Sequence, residues 1–282
     1  MPSISELTMY PIKSCAGITL TEAVMTASGL SYAGVFDREW MLVDGSGLFL
    51  TQREYPRMAC LRITIAGDTL RVDTDAMATL SISLKANANA QKITVQIWET
   101  EVIADDAGEE AAIWFSQALG TRCRLVRFSP QAQRYANTKW TGDTLAPTRF
   151  ADGYPLLLIA QASLEDLNRR AIAQGRQAVP MNRFRPNIVI DGVEAFEEDY
   201  AASYLLQNGI QLRPVKPCPR CPIPAVDQLT GEVGESPVDI LQSYRANPIV
   251  DGEITFGMNV ILEQGAGLVL RVGDEVEMPI AF

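Results

Sequence analysis

The 282-residue sequence predicts a β-rich α+β fold. Three observations point there: short runs alternate apolar and polar residues, a few stretches switch to helical spacing, and Gly, Pro and Asp punctuate the joints. Leu61-Arg62-Ile63-Thr64-Ile65 is the clearest run. Leu80 to Leu84 and Ile93 to Ile97 follow, with Gly67-Asp68 and residues 85–92 between them. Such strands bury one face and wet the other, the habit of antiparallel sheets. Many of them at this spacing suggest a barrel or sandwich.

The helices come next. Glu109 to Leu119 sets Ala112, Ile113, Phe115, Ser116 and Leu119 near one face, with Gly120 as its stop. Cys123 to Phe128 returns to strand. Residues 129–150 hold Pro130, Gly142 and Pro147 with weak periodicity, which predicts a linker or long surface loop. Beyond it, Ser163 with Asp166 forms a capping-box pattern, Leu164, Leu167 and Ile172 mark an apolar face, and Gly175 ends the helix. Asn187 to Ile190 and Gln211 to Val215 read as strands. Ser236 with Asp239 opens a short helix to Tyr244, and Val269 to Val276 predicts a hairpin about Gly273-Asp274.

Composition narrows the function. Hydrophobic residues make up 47% and charged residues 21%, which excludes disorder, collagen and coiled coil. The net charge of −10 opposes tight nonspecific binding to nucleic acid. There is no histidine, so Ser-His-Asp and Cys-His catalysis, histidine bases and histidine-ligated metals are excluded. The five cysteines are odd in number and irregularly spaced, which fits a reducing compartment. The N-terminus lacks a signal-peptide pattern and no run reaches ~18 apolar residues, so no membrane partner is expected and the predicted location is cytoplasmic.

Cys218-Pro219-Arg220-Cys221 is the first chemical candidate. A four-cysteine zinc site needs a second pair, and Cys15, Cys60 and Cys123 stand singly. A dithiol redox pair needs a helix that Pro222 and Pro224 would interrupt. A single thiolate on a proline-rich loop could bind a soft metal. Two buried, inert thiols are the plain alternative. Three further clusters are basic: Tyr10-Pro11-Ile12-Lys13-Ser14-Cys15-Ala16-Gly17, Phe36-Asp37-Arg38-Glu39-Trp40 and Arg183-Phe184-Arg185-Pro186-Asn187. Alone, each Lys or Arg is most often a solvated side chain. Together, in an acidic chain, they suggest a pocket for phosphate or carboxylate.

The motifs Tyr10–Gly17, Asp37-Arg38-Glu39-Trp40-Met41-Leu42-Val43 and Leu50-Thr51-Gln52-Arg53 resemble the N-terminal β-barrel domain that accompanies MOSC domains. Asn182 to Val189 and Lys216-Pro217-Cys218-Pro219-Arg220-Cys221 resemble the MOSC domain itself, in bacterial oxidoreductases and the mitochondrial amidoxime-reducing branch. The resemblance implies an N-terminal β-barrel domain over residues 1–128 and a MOSC β-barrel domain with a few helices over 129–282. It implies a molybdenum-pyranopterin cofactor (molybdopterin), with Cys221 as the metal ligand and Cys218 as a neighbour. Lys13, Ser14, Arg38, Arg183, Arg185 and Asn187 fall on cofactor contacts. Asp152-Gly153-Tyr154 occupies another cofactor-lining loop, although small hydroxyl residues follow the Asp in the mitochondrial branch. Asp152 is also the one acid nominated for proton delivery.

The implied activity is reductive removal of oxygen from N-hydroxylated substrates: hydroxylamines, amidoximes and N-hydroxylated bases. The mitochondrial membrane anchor and the ferredoxin-type domain of some bacterial members are not expected here, so electrons would come from a separate reductase. Two rival classes stay open. One is a carrier, storage or sulfur-transfer protein for the cofactor. The other is a dithiol redox protein using Cys218 and Cys221.

Overall fold

The computed structural model describes residues 1–75 and 77–281. Its largest unit is a nine-stranded sheet. In spatial order it runs Ile18–Leu20, Ser3–Met9, Ile188–Asp191, Leu156–Ala160, Glu253–Gln264, Gln211–Pro219, Tyr204–Leu206 and Val276–Glu277, with Ala246–Asn247 beside Glu253–Gln264. Leu156–Ala160 and Ile188–Asp191 are parallel. A parallel pair needs a crossover, and the helix Gln161–Ala173 supplies it. Leu164 and Leu167 on that helix bury against Ile159, Phe184 and Phe256.

Three smaller sheets come mostly from the first half. One joins Lys92–Ile97, Thr100–Asp106, Arg124–Phe128 and Trp40–Val43. A second joins Val269–Arg271, Glu22–Thr26, Gly29–Tyr32 and Val35–Phe36, and a third Arg62–Ala66, Thr69–Asp73 and Leu80–Ser83. The β-rich α+β reading therefore holds, and the alternating runs named above are strands. The two halves interlock. Ser3–Met9 pairs with Ile188–Asp191, and Val269–Arg271 pairs with Glu22–Thr26. Because Leu7 faces Ile188 and Ile188 faces Leu158, the loops at Tyr10, Asn187 and Pro155 leave one end of the large sheet together.

Several local expectations are corrected. The helix Glu109–Leu119 ends at left-handed Gly120 and buries Ala112, Phe115 and Leu119 as predicted, but Ala111 and Ala118 complete its inner face and Ile113 is exposed. Ser163 does not cap its helix. It lies inside Gln161–Ala173, where its hydroxyl bonds the Glu198 carboxylate, and Ile172 points to solvent. The Gly273-Asp274 turn exists, yet it closes no hairpin, since Val269–Arg271 and Val276–Glu277 belong to different sheets. Residues 129–150 form a long connection but not a free linker: Ser129, Arg134, Thr148 and Phe150 are buried. The strand from Gln211 runs on to Pro219, slipping register at Pro214 and Pro217, so Cys218 sits on a bulged strand rather than a loop.

Candidate functional site

Backbone conformation singles out one place. Eight described non-glycine residues have positive φ, among them Ser14 (66°), Arg38 (48°), Trp98 (54°) and Arg185 (57°). Side-chain-bearing residues rarely adopt this region, and such residues gather at functional sites. Ser14, Arg38 and Arg185 come from the three basic motifs of the sequence.

Those motifs meet around Tyr10. The Arg38 guanidinium lies 4.3 Å from the ring centroid and that of Arg185 lies 4.2 Å from it. The ring thus separates two cations while attracting both. Gly17 makes room for it: a Cβ there would come within 2.7 Å of the Tyr10 ring and 2.5 Å of the Thr8 methyl. Arg38 pairs with Asp37 and donates to Asn187 Oδ1 at 3.1 Å. Asn187 Nδ2 donates to Asp37 Oδ1 and to the Thr8 carbonyl, both at 3.1 Å. Asn187 is therefore fixed by four bonds, including one from Leu157 N–H.

Arg185 is treated differently. It is 9% exposed, and it donates to the Cys15 carbonyl at 2.7 Å and Gln228 Oε1 at 3.1 Å. Among the described residues no carboxylate lies within 4.0 Å of it. Gln228 is held by a reciprocal amide pair with buried Gln52, whose Nε2 also donates to the Ser14 carbonyl at 2.7 Å. Burial lowers the Arg185 pKa, as it does that of Lys13.

Lys13 has an anion. Its Nζ donates to Asp152 Oδ1 at 2.6 Å and to the Phe150 carbonyl at 3.1 Å. Trp98 Nε1 adds a bond to the same carboxylate oxygen at 3.1 Å. Crowding in the cleft would raise the Asp152 pKa, but Lys13 and the indole N–H outweigh it and hold the group well below the usual carboxylate range. The Asp152 side chain remains 69% exposed, which tempers that shift. Arg134 completes the group. It donates to four neutral oxygens, of Thr148, Arg149, Ala151 and Asp152, and its buried Nε has no partner. Four cations thus meet two carboxylates, Asp37 and Asp152.

Two clefts flank this cluster. One, of about 560 Å³, is lined by Phe49, Arg53, Trp98, Arg134 and Asp152. The other, of about 520 Å³, is lined by Tyr10, Gly17, Cys60, Arg185 and Gln228. Cys221 lines neither. It follows the strand Gln211–Pro219 and is partly exposed, with a free thiol. Arg220 donates to Cys218 Sγ at 3.3 Å and to the Phe184 carbonyl at 2.9 Å. Burial raises the Cys218 pKa, opposed by Arg220 and reinforced by Cys221 and Asp152 nearby. Tyr154 is half-buried against Ala136, Ala146 and Ile261, and burial pushes its phenol up to about 12, with Cys218 adding to the shift. A Cβ on Gly153 would meet nothing within 4 Å, so there is open space at that loop.

The structure thus gathers Lys13, Ser14, Arg38, Asp152, Arg185 and Asn187. Arg183 does not join them: its guanidinium donates to the carbonyls of Pro224 and Ala225 and to Asp227, clamping the segment that follows Cys221. Sequence reading missed Arg134, Gln52, Gln228 and Trp98. Arg134 lies in the stretch expected to be a linker, Gln52 stands in the Leu50–Arg53 motif without a cofactor contact of its own to mark it, and Gln228 and Trp98 carry no motif. Among the described residues no group of three or more Cys, Asp or Glu could hold a metal ion, so a metal at Cys221 would need further donors from a cofactor.

Residues 1–122 match the MOSC N-terminal beta barrel domain, and residues 146–277 match the MOSC domain. The chain is 33% identical to the mitochondrial amidoxime reducing component 2 of Rattus norvegicus, over 97% of this chain and 82% of that protein. It is 33% identical to the mitochondrial amidoxime-reducing component 1 of Mus musculus, over 97% and 81%. A molybdenum cofactor sulfurase of Danio rerio is 28% identical, with the chain spanning 34% of its length. Two domain matches in order, and relatives aligned nearly end to end, place the chain in the MOSC family.

Proposed function

We propose that the protein is a molybdenum-cofactor-dependent oxidoreductase that removes oxygen from N-hydroxylated compounds. One observation carries the reading: Arg185 is buried beside a cleft with no carboxylate to meet it. Desolvating a guanidinium costs several kcal/mol, and neutral carbonyls offset only part of that. An anionic ligand such as a pterin phosphate would complete the balance, and Arg134 repeats the pattern. The partly exposed Cys221 thiol suits a soft metal. The names of the amidoxime-reducing relatives support the substrate class.

When bound, the cofactor supplies the metal centre at which the N–O bond is reduced with two electrons and two protons, giving the amine or amidine and water. In this reading Arg38 and Arg185 hold the phosphate end, and Tyr10 spaces them. Ser14 presents a polar group to the pterin, and Asn187, whose amide is fully engaged, holds Arg38 and Asp37 in place. Cys221 binds the metal. Arg183 is a positioning residue, since it fixes the segment after Cys221 rather than facing a ligand. Asp152 anchors Lys13 and the Gly153-Tyr154 loop. A carboxylate held ionised is a poor proton donor, so we assign proton delivery to water rather than to Asp152. The electron donor is a separate reductase, and the setting is the cytoplasm.

Metal content by mass spectrometry, on protein made in a host that assembles the cofactor, is the first test. Molybdenum near one per chain, together with turnover of an amidoxime, is the expected result. Zinc instead, or no metal, would overturn the reading. The likeness to a molybdenum cofactor sulfurase favours the carrier as a second reading. Molybdenum without turnover of any N-hydroxylated compound would select it.

A further inference from the structure

Trp98 is the residue that the site's ionic logic leaves unexplained. It opens the two-residue turn between Lys92–Ile97 and Thr100–Asp106, where Ile97 faces Thr100. Turns this tight favour Asn or Gly at a left-handed position, yet an indole stands here at φ 54°. Burial does not account for it, because Trp98 is 41% exposed. The side chain is nevertheless held on three sides. Its Nε1 bonds Asp152 at 3.1 Å, Phe49 packs at 5.0 Å between centroids, and the Arg53 guanidinium sits 4.8 Å from the ring. The backbone is pinned as well, since Gln96 Nε2 donates to the Trp98 carbonyl at 2.9 Å. All four side chains, Phe49, Arg53, Trp98 and Asp152, line the cavity of about 560 Å³.

We infer that Trp98 is a specificity-determining wall of this cavity, selecting flat, conjugated N-hydroxylated substrates over aliphatic hydroxylamines. The inference rests on the function proposed above. A hairpin tip that sets a partly exposed indole into the lining of a cavity offers aromatic contact to a planar ligand and nothing comparable to a flexible chain. Arg53 and the Asp152 bond fix the plane of the indole, so the ring is oriented before a ligand arrives.

The test is the ratio of kcat/KM for benzamidoxime to that for N-hydroxyhexylamine, in Trp98→Gly and Trp98→Phe. Glycine suits the left-handed turn, so this variant is expected to fold. The ratio should fall about tenfold in W98G, the size of one aromatic contact. W98F, which keeps a ring but loses the N–H, should retain most of it. A ratio within twofold of the parent in W98G, or an equal loss in W98F, would overturn the wall. A second readout does not need turnover: saturable quenching of tryptophan fluorescence by benzamidoxime, abolished in W98F. If neither substrate is turned over but that quenching is seen, the wall stands and the proposed function falls. Turnover without any such quenching removes the wall and leaves the function.

Discussion

Arg185 and Glu198 are both buried charged side chains with mostly neutral partners, but one borders a cleft and the other is sealed. Arg185 meets a carbonyl, an amide and an aromatic ring. Glu198 is fully buried, accepts the Ser163 hydroxyl at 2.8 Å on each oxygen, and accepts the Ala160 N–H at 3.2 Å. Burial and the neighbouring Asp199 push its carboxyl up to about 7, so it can relieve its charge by holding a proton. Arginine has no such exit, because it does not deprotonate in proteins. A buried, unpaired guanidinium beside open space therefore points to a ligand more strongly than a buried carboxylate does.

The largest break in that contrast comes from the thiol. Cys221→Ala should strip molybdenum and abolish turnover, a loss beyond the 10–100-fold typical of removing an outer partner. Cys218→Ala should retain the metal, since Arg220 and burial already occupy that thiol. Equal damage from the two variants would instead favour a dithiol. Next comes Arg185→Met. Cofactor retention through dialysis should weaken about a hundredfold, as for one partner of a buried charged contact. Urea stability of the cofactor-free protein should change by no more than about 1 kcal/mol, because the lost cation was uncompensated. A large loss of stability without the cofactor would make Arg185 structural.

The sealed region answers to pH. Glu198 binds its proton more tightly folded than unfolded, with pKa raised from 4.5 to about 7. Its contribution to stability is thus fully present at acid pH and falls as pH rises from about 4.5 through 7. The decline should be about 3 kcal/mol across that window, read from urea midpoints. Glu198→Gln should flatten it. An unchanged slope in E198Q would show that another group titrates, and the contrast with Arg185 would lose its second half.

The sequence carried the basic motifs well because each places several polar residues on a short turn. It could not show that they converge, since Tyr10 and Arg185 meet only through pairing of Ser3–Met9 with Ile188–Asp191. Arg134 was lost for a related reason: polar, weakly periodic residues look like linker, whether or not tertiary contacts bury them. The hairpin error at Gly273-Asp274 is similar, as turn chemistry fixes a change of direction but not which strands pair across it. The helix faces were legible at Ala112, Phe115, Leu119, Leu164 and Leu167, all buried, and failed only at Ile113 and Ile172, apolar residues that flank the true stripe.

That last misreading yields the smallest predicted effect. The helix Gln161–Ala173 is tied down at its first turn, where Ser163 meets Glu198, and its inner face buries Leu164 and Leu167. Ile172 follows Leu167 by five residues, which turns it away from that stripe, and it is 61% exposed. Ile172→Glu should therefore shift stability by no more than about 0.5 kcal/mol. Leu167→Ala, one face over and fully buried, should cost about 2–5 kcal/mol. The pair can be read in one urea series with E198Q. If I172E proved as damaging as L167A, the helix would be packed on both sides, and the sealed region around Glu198 would extend further along it than the observed burial allows.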